Sequence, residues 1–166
     1  GGVAASLQGR SRATRNIDVV VLAGDMDLSE LLADAGRHGF SPRRSDALEF
    51  ALQSRVLLLE HRADGIGLDL SLGAIAFERE MIGRAIRINL QGIEIPLAQP
   101  DDLIVMTTLA FRPVDVIDIE SLLDANPQID LRRVRKWVQA MADALEEPEI
   151  AERLETLLRA RQSRRR

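Results

Sequence analysis

Apolar and polar positions change rhythm once along this chain, from strand-like runs before Pro100 to helical spacing after it. Residues 17–22 (IDVVVL) form a β-branched run of the kind found in a buried strand. Leu28, Leu31, Leu32 and Ala35 fall at i, i+3, i+4 and i+7, which predicts a helix over 28–37. Asp25 or Asp27 would cap it, and Gly36 and Gly39 would end it. Small residues over 2–10 suit a helix packed closely on a sheet, and 46–53 read as a short helix or a lead into the next strand. Residues 56–61 (VLLLEH) and 66–70 (IGLDL) are two strands joined through Ala63, Asp64 and Gly65, and 77–84 look helical. Residues 86–90 (IRINL) and 93–97 (IEIPL) alternate around Gln91-Gly92, a strong hairpin signal.

After Pro100 the strand signals stop. Pro100, Asp101 and Asp102 start a helix running to about 112, and Pro113 breaks it and opens another to about 123. Asp130 caps a third to about 145, Pro148 opens the last, and the chain ends in arginines. The expected fold class is therefore α+β, a small mixed β-sheet with flanking helices followed by a helical C-terminal part. The expected division is an α/β core over 1–98 with a helical region over 99–166 packed on it. Gly1 stands in the middle of what reads as a strand-to-helix turn. An upstream helix and the first sheet strand are thus expected before it, with the sheet edge exposed or paired with another chain.

Composition narrows the chemistry. With no cysteine among 166 residues, disulfides, thiolate catalysis and Cys-ligated zinc are excluded together. The two histidines, His38 and His61, do not form a metal pair by spacing. A catalytic metal would then be held by carboxylates, which points to Mg²⁺ or Mn²⁺. No apolar run reaches the ~20 residues of a membrane span, so a cytoplasmic protein with no membrane partner is expected. A net charge of −4 gives no general attraction to nucleic acid, and aromatics at 3% argue against base stacking. Arginines cluster at Arg10, Arg12 and Arg15, at Arg43 and Arg44, at Arg132, Arg133 and Arg135, and over 159–166. The last cluster reads as a frayed helix end, with RNA or a phosphate-rich partner as the sharper alternative.

The residues best placed for chemistry lie at the start. Positions 16 and 18 are i and i+2 on the expected strand and point to one face, so Asn16 and Asp18 can share a metal. Asp69, an acid in an otherwise apolar strand, is the best candidate for a further carboxylate, against the alternative of an edge-strand surface residue. Gly1 and Gly2 let backbone approach a phosphate at a helix N-terminus. Asp115 and Asp118, i and i+3 on one helix, lie within reach of Arg112 or another arginine and read first as an ion-pair network. Trp137, in the stripe of Leu131, Val134, Val138 and Met141, reads as helix packing.

Residues 1–18 resemble the opening motif of the nucleotidyltransferase superfamily, in the branch of AbiEii-type toxins and related small bacterial proteins. That pattern is Gly-Gly, an alanine-containing helix, Gly, Arg-x-Thr, then Asp-Ile-Asp, and here it reads GGVAASLQGRSRATRNID. The likeness continues through Asp69 and the segment from IRINL to DIESLL, covering roughly 1–123. It implies a protein that binds a nucleoside triphosphate with magnesium and transfers the nucleotide to a hydroxyl on RNA, a protein or a small molecule. Asp18, Asp69 and Asn16 would be the catalytic metal ligands, while Gly1, Gly2, Arg12, Thr14 and Thr107 would shape the nucleotide pocket.

Two positions depart from the family pattern, and both weaken catalysis. Asn16 replaces the first acid; it can offer a carbonyl oxygen but no charge. Thr107 stands where relatives often carry a lysine facing the nucleotide. Asn16 can mark natural degeneracy, an introduced substitution or a tolerated weak ligand. The rival expectation is a catalytically degenerate interaction protein of a toxin–antitoxin or other two-protein system, or a homo-oligomer. It would work through the apolar stripe of Leu145, Ile150, Leu154, Leu157 and Leu158, for which core packing is the commoner explanation.

Overall fold

The β-branched run IDVVVL becomes β1 (Asn16–Leu22), preceded by α1 (Gly2–Gln8). The computed structural model describes residues 1–22, 24 and 26–164. Next come α2 (Leu28–Arg37), β2 (Phe40–Pro42), α3 (Ala47–Ser54), β3 (Val56–His61), β4 (Gly67–Gly73) and α4 (Ala76–Gly83). The hairpin of β5 (Ile86–Leu90) and β6 (Ile93–Leu97) leads to α5 (Pro100–Ala110), α6 (Pro113–Ala125), α7 (Leu131–Leu145) and α8 (Glu149–Arg164). The α+β class read from the sequence is the observed one.

The caps explain several boundaries. Asp27 accepts hydrogen bonds from the backbone N–H groups of Ser29 (2.7 Å) and Glu30 (3.3 Å), so it, of the two expected caps, starts α2; Asp25 lies outside the described residues. Asp130 caps α7 in the same way through Arg132 and Arg133. Pro100 and Pro113 each sit in a first turn, where a missing N–H costs nothing. The short strand β2 escapes the pattern reading because it has three residues, one of them proline, which a sheet tolerates at its edge.

By contacts, the chain divides into two units, 1–3 with 13–84 and 4–12 with 85–166. Among the described residues the β5–β6 hairpin pairs with itself and is not part of the larger sheet.

The first unit is built on a mixed four-stranded sheet in the order β1-β4-β3-β2, with β1 parallel to β4 and the other pairs antiparallel. Its core lies on one face, where Leu57, Leu59, Leu70 and Leu72 pack with Ala47 and Ala51 of α3. Leu28, Leu31, Leu32 and Ala35 of α2 cover the same cluster, which is the helical face the periodicity predicts. The expectation of a buried β1 is corrected. Among the described residues β1 is an edge strand with Ile17 and Leu22 exposed, and Val21 is its contribution to this core.

The second unit buries Leu103, Ile104 and Val105 of α5, Ile119 and Leu122 of α6, and Val134, Val138 and Ala142 of α7. Ile150, Leu154, Leu157 and Leu158 of α8 are buried as well, so the stripe considered as a partner surface is core, and only Leu145 of that set is exposed. Trp137 is half-buried on α7. The terminal arginines are partly committed: Arg161 pairs with Asp124 at 2.6 Å and Arg164 with Glu120, while Arg165 and Arg166 lie outside the described residues. Among the described residues no helix is long and apolar enough to cross a membrane.

Candidate functional site

Pairing in the first unit aligns the candidate acids. The parallel register sets Asp18 of β1 opposite Asp69 of β4, and Asn16 opposite Gly67. Because side chains alternate along a strand, Asn16, Asp18 and Asp69 share the sheet face opposite the leucine core. The antiparallel register extends the row: Leu58 of β3 lies opposite Asp69, and the N–H of Arg43, just past β2, donates to the Leu58 carbonyl at 3.0 Å. One row across the sheet therefore reads Asp18, Asp69, Leu58, Arg43.

The polar groups on this face are tied together. Asn16 donates from Nδ2 to Asp69 Oδ2 at 3.1 Å, and the Arg43 guanidinium forms an ion pair with Asp69 Oδ1. Asp69 and Arg43 keep 27% and 29% of their side-chain surface, open enough to be reached and closed enough to strengthen the pair. The backbone N–H of Gly2 donates to Asp18 Oδ2 at 3.2 Å. Thr14 donates its hydroxyl to the Asn16 carbonyl at 3.0 Å, holding the entry to β1.

Two glycines make room for this arrangement. A Cβ at Gly1 would run into the Asp18 carboxylate. A Cβ at Gly67 would fall on the Asn16 side-chain amide and 3.6 Å from Arg43 Nη1. Both positions need glycine for close approach.

The second unit holds the other two expected pocket residues. Arg12 makes a two-pronged pair with Asp118, at 2.9 Å from Nε to Oδ1 and 2.7 Å from Nη2 to Oδ2. That hydrogen bond, against the cost of burial and helped by the Asp118 charge, raises the Arg12 pKa above its ordinary value. Thr107 donates its hydroxyl to carbonyls of its own helix, Leu103 at 2.8 Å and Ile104 at 3.2 Å. Arg112 pairs with buried Asp115 at 2.8 Å, so the ion-pair network expected of this segment is present. Burial pushes the Asp115 carboxyl up, but hydrogen bonds from the Arg112 side chain and backbone outweigh it and leave the group below the usual carboxylate range.

The structure thus gathers Gly1, Gly2, Thr14, Asn16, Asp18 and Asp69 in one unit. A family model described as a nucleotidyltransferase of unknown function (DUF6036) matches residues 1–164. The chain belongs to this family. No curated protein matches it.

A nucleotidyltransferase of this fold implies a divalent cation held by carboxylates, and the donor set here can be tested against one. Both oxygens of Asp69 are already engaged, one by a cation and one by an amide N–H. Asp18, Asp69 and Arg43 leave one net negative charge between them. Among the described residues no group of three or more His, Asp or Glu could hold a metal. As arranged, these residues do not fit a free divalent cation.

Arg43 is the site residue that the sequence reading missed. Its placement depends on β2, a strand too short to show a pattern, and on registry across two strand pairs. The adjacent Arg43-Arg44 pair was the only available signal, and Arg44 is committed instead to Asp46 at 2.7 Å.

Proposed function

We propose that this nucleotidyltransferase-family protein takes a nucleoside triphosphate, as its magnesium complex, on the sheet face that carries Asp18 and Asp69. We also propose that Asn16 curtails transfer of the nucleotide to an RNA, protein or small-molecule hydroxyl. The observation that carries the reading is the parallel registry of Asp18 with Asp69, with Asn16 on the same face and its amide N–H turned to Asp69. A carboxylate at position 16 would add a charge to the pair; an amide adds a hydrogen bond and uses one oxygen of Asp69.

Kinship with the AbiEii-type toxins, supported by residues 1–18, is part of this proposal. So is a role beside a partner protein in a two-protein system, favoured by the Asn16 amide that takes up one oxygen of Asp69. Calorimetry with Mg-ATP and Mg-GTP tests the binding step. The expected result is a complex that Asp18→Ala weakens, and absence of any triphosphate binding by the unaltered chain overturns the proposal. Transfer of labelled nucleotide into cell extract tests the second part. Label is expected with Asn16→Asp and absent, or far weaker, with the chain as it stands; equal transfer by both refutes the role given to Asn16.

A further inference from the structure

We propose that Arg43 is the resident cation of the carboxylate face, and that it keeps a free divalent metal from settling between Asp18 and Asp69. Strand spacing of about 4.8 Å places its backbone roughly 10 Å from β4, so the side chain must extend over Leu58 to reach Asp69. It does so, and forms the ion pair with Oδ1. Arg43 Nη1 lies 3.6 Å from where a Cβ at Gly67 would stand, and that Cβ would clash with the Asn16 amide. The two departures from a metal site complement each other. Asn16 supplies no charge and offers Asp69 a donor, and Arg43 supplies one fixed positive charge where a metal would supply two.

Arginine suits this part, because a guanidinium stays charged at any working pH and binds a carboxylate in a fixed geometry. A metal entering the pair would have to displace the guanidinium from Asp69 and reverse the Asn16 amide. Both steps give up existing bonds to Asp69.

The inference concerns the proposed nucleotide face, but its test uses no nucleotide. Mn²⁺ alone is titrated into the full chain and followed by EPR, and site binding is the part lost on adding Asp69→Asn. The unaltered chain is expected to show none. The Asn16→Asp/Arg43→Ala chain is expected to gain an Asp69-dependent site. Should that chain fail to fold by circular dichroism, Arg43→Gln replaces Arg43→Ala, since it keeps a polar side chain and drops the charge. Asp69-dependent Mn²⁺ binding by the unaltered chain overturns the inference, as does a folded double variant with no gain. Failure of triphosphate to bind would remove the nucleotide reading and leave this result standing.

Discussion

Asn16 and Asp69 are joined by a hydrogen bond of 3.1 Å across the parallel β1–β4 pair, at the position where a metal site would set two carboxylates. The pair is stable because an amide can donate where a carboxylate can only accept. The amide supplies Asp69 with a donor, and the Arg43 guanidinium supplies it with a positive charge.

Asn16→Asp should therefore lower the thermal midpoint in buffer stripped of divalent ions. A hydrogen bond is lost and a like charge is set against Asp69, for a cost of about 1 kcal/mol at this half-exposed position. A midpoint at neutral pH that is unchanged or raised would contradict the donor role of the amide.

Asp118 is 5% exposed, and Arg12 holds it through two hydrogen bonds. Arg12→Ala should destabilise the fold by about 2 kcal/mol, between the cost of an exposed pair and that of a buried one. A double-mutant cycle with Asp118→Ala, read by urea unfolding, should give a coupling of about 1 kcal/mol or more. If Arg12 serves a nucleotide instead of the fold, Arg12→Ala will weaken triphosphate binding and leave stability nearly unchanged.

Asp102, fully buried at the start of α5, accepts from Arg133 of α7 at 2.6 Å. Arg133→Ala leaves a buried carboxylate without that charge and should cost about 3–5 kcal/mol, more than Arg12→Ala. The ordering of the two variants in a denaturant series checks this, and equal costs would contradict it.

The carboxyl of Asp115 is held below its ordinary value of 3.8, with the Arg112 hydrogen bonds outweighing burial. A depressed folded-state pKa contributes stability that is present above the unfolded value and is lost as pH falls through the folded one. Stability should thus fall with acid below about pH 4, and Asp115→Asn should flatten that slope while lowering stability at neutral pH. An unchanged acid slope in Asp115→Asn would assign the effect to other groups.

Much of the fold was legible along the chain because periodicity and capping are local. The 3.6-residue spacing of Leu28, Leu31, Leu32 and Ala35, the prolines at 100 and 113, and the alternation on either side of Gln91-Gly92 each depend on neighbours a few residues away. Buried leucines in α8 look the same in sequence whether they serve a core or a partner, and only packing assigned them to the core.

The candidate site divides along the same line. The sequence by itself determined which atoms it can offer: two carboxylates, an amide where a third would be, and the glycines at 1 and 2. Only the tertiary structure decided their partners. Asp18 faces Asp69 through pairing between strands some fifty residues apart, and Arg43 reaches Asp69 because β2 and β3 set it in the same row. Registry is a property of strand pairs and cannot be read from either strand alone, so the cation of this site was hidden until the sheet was assembled.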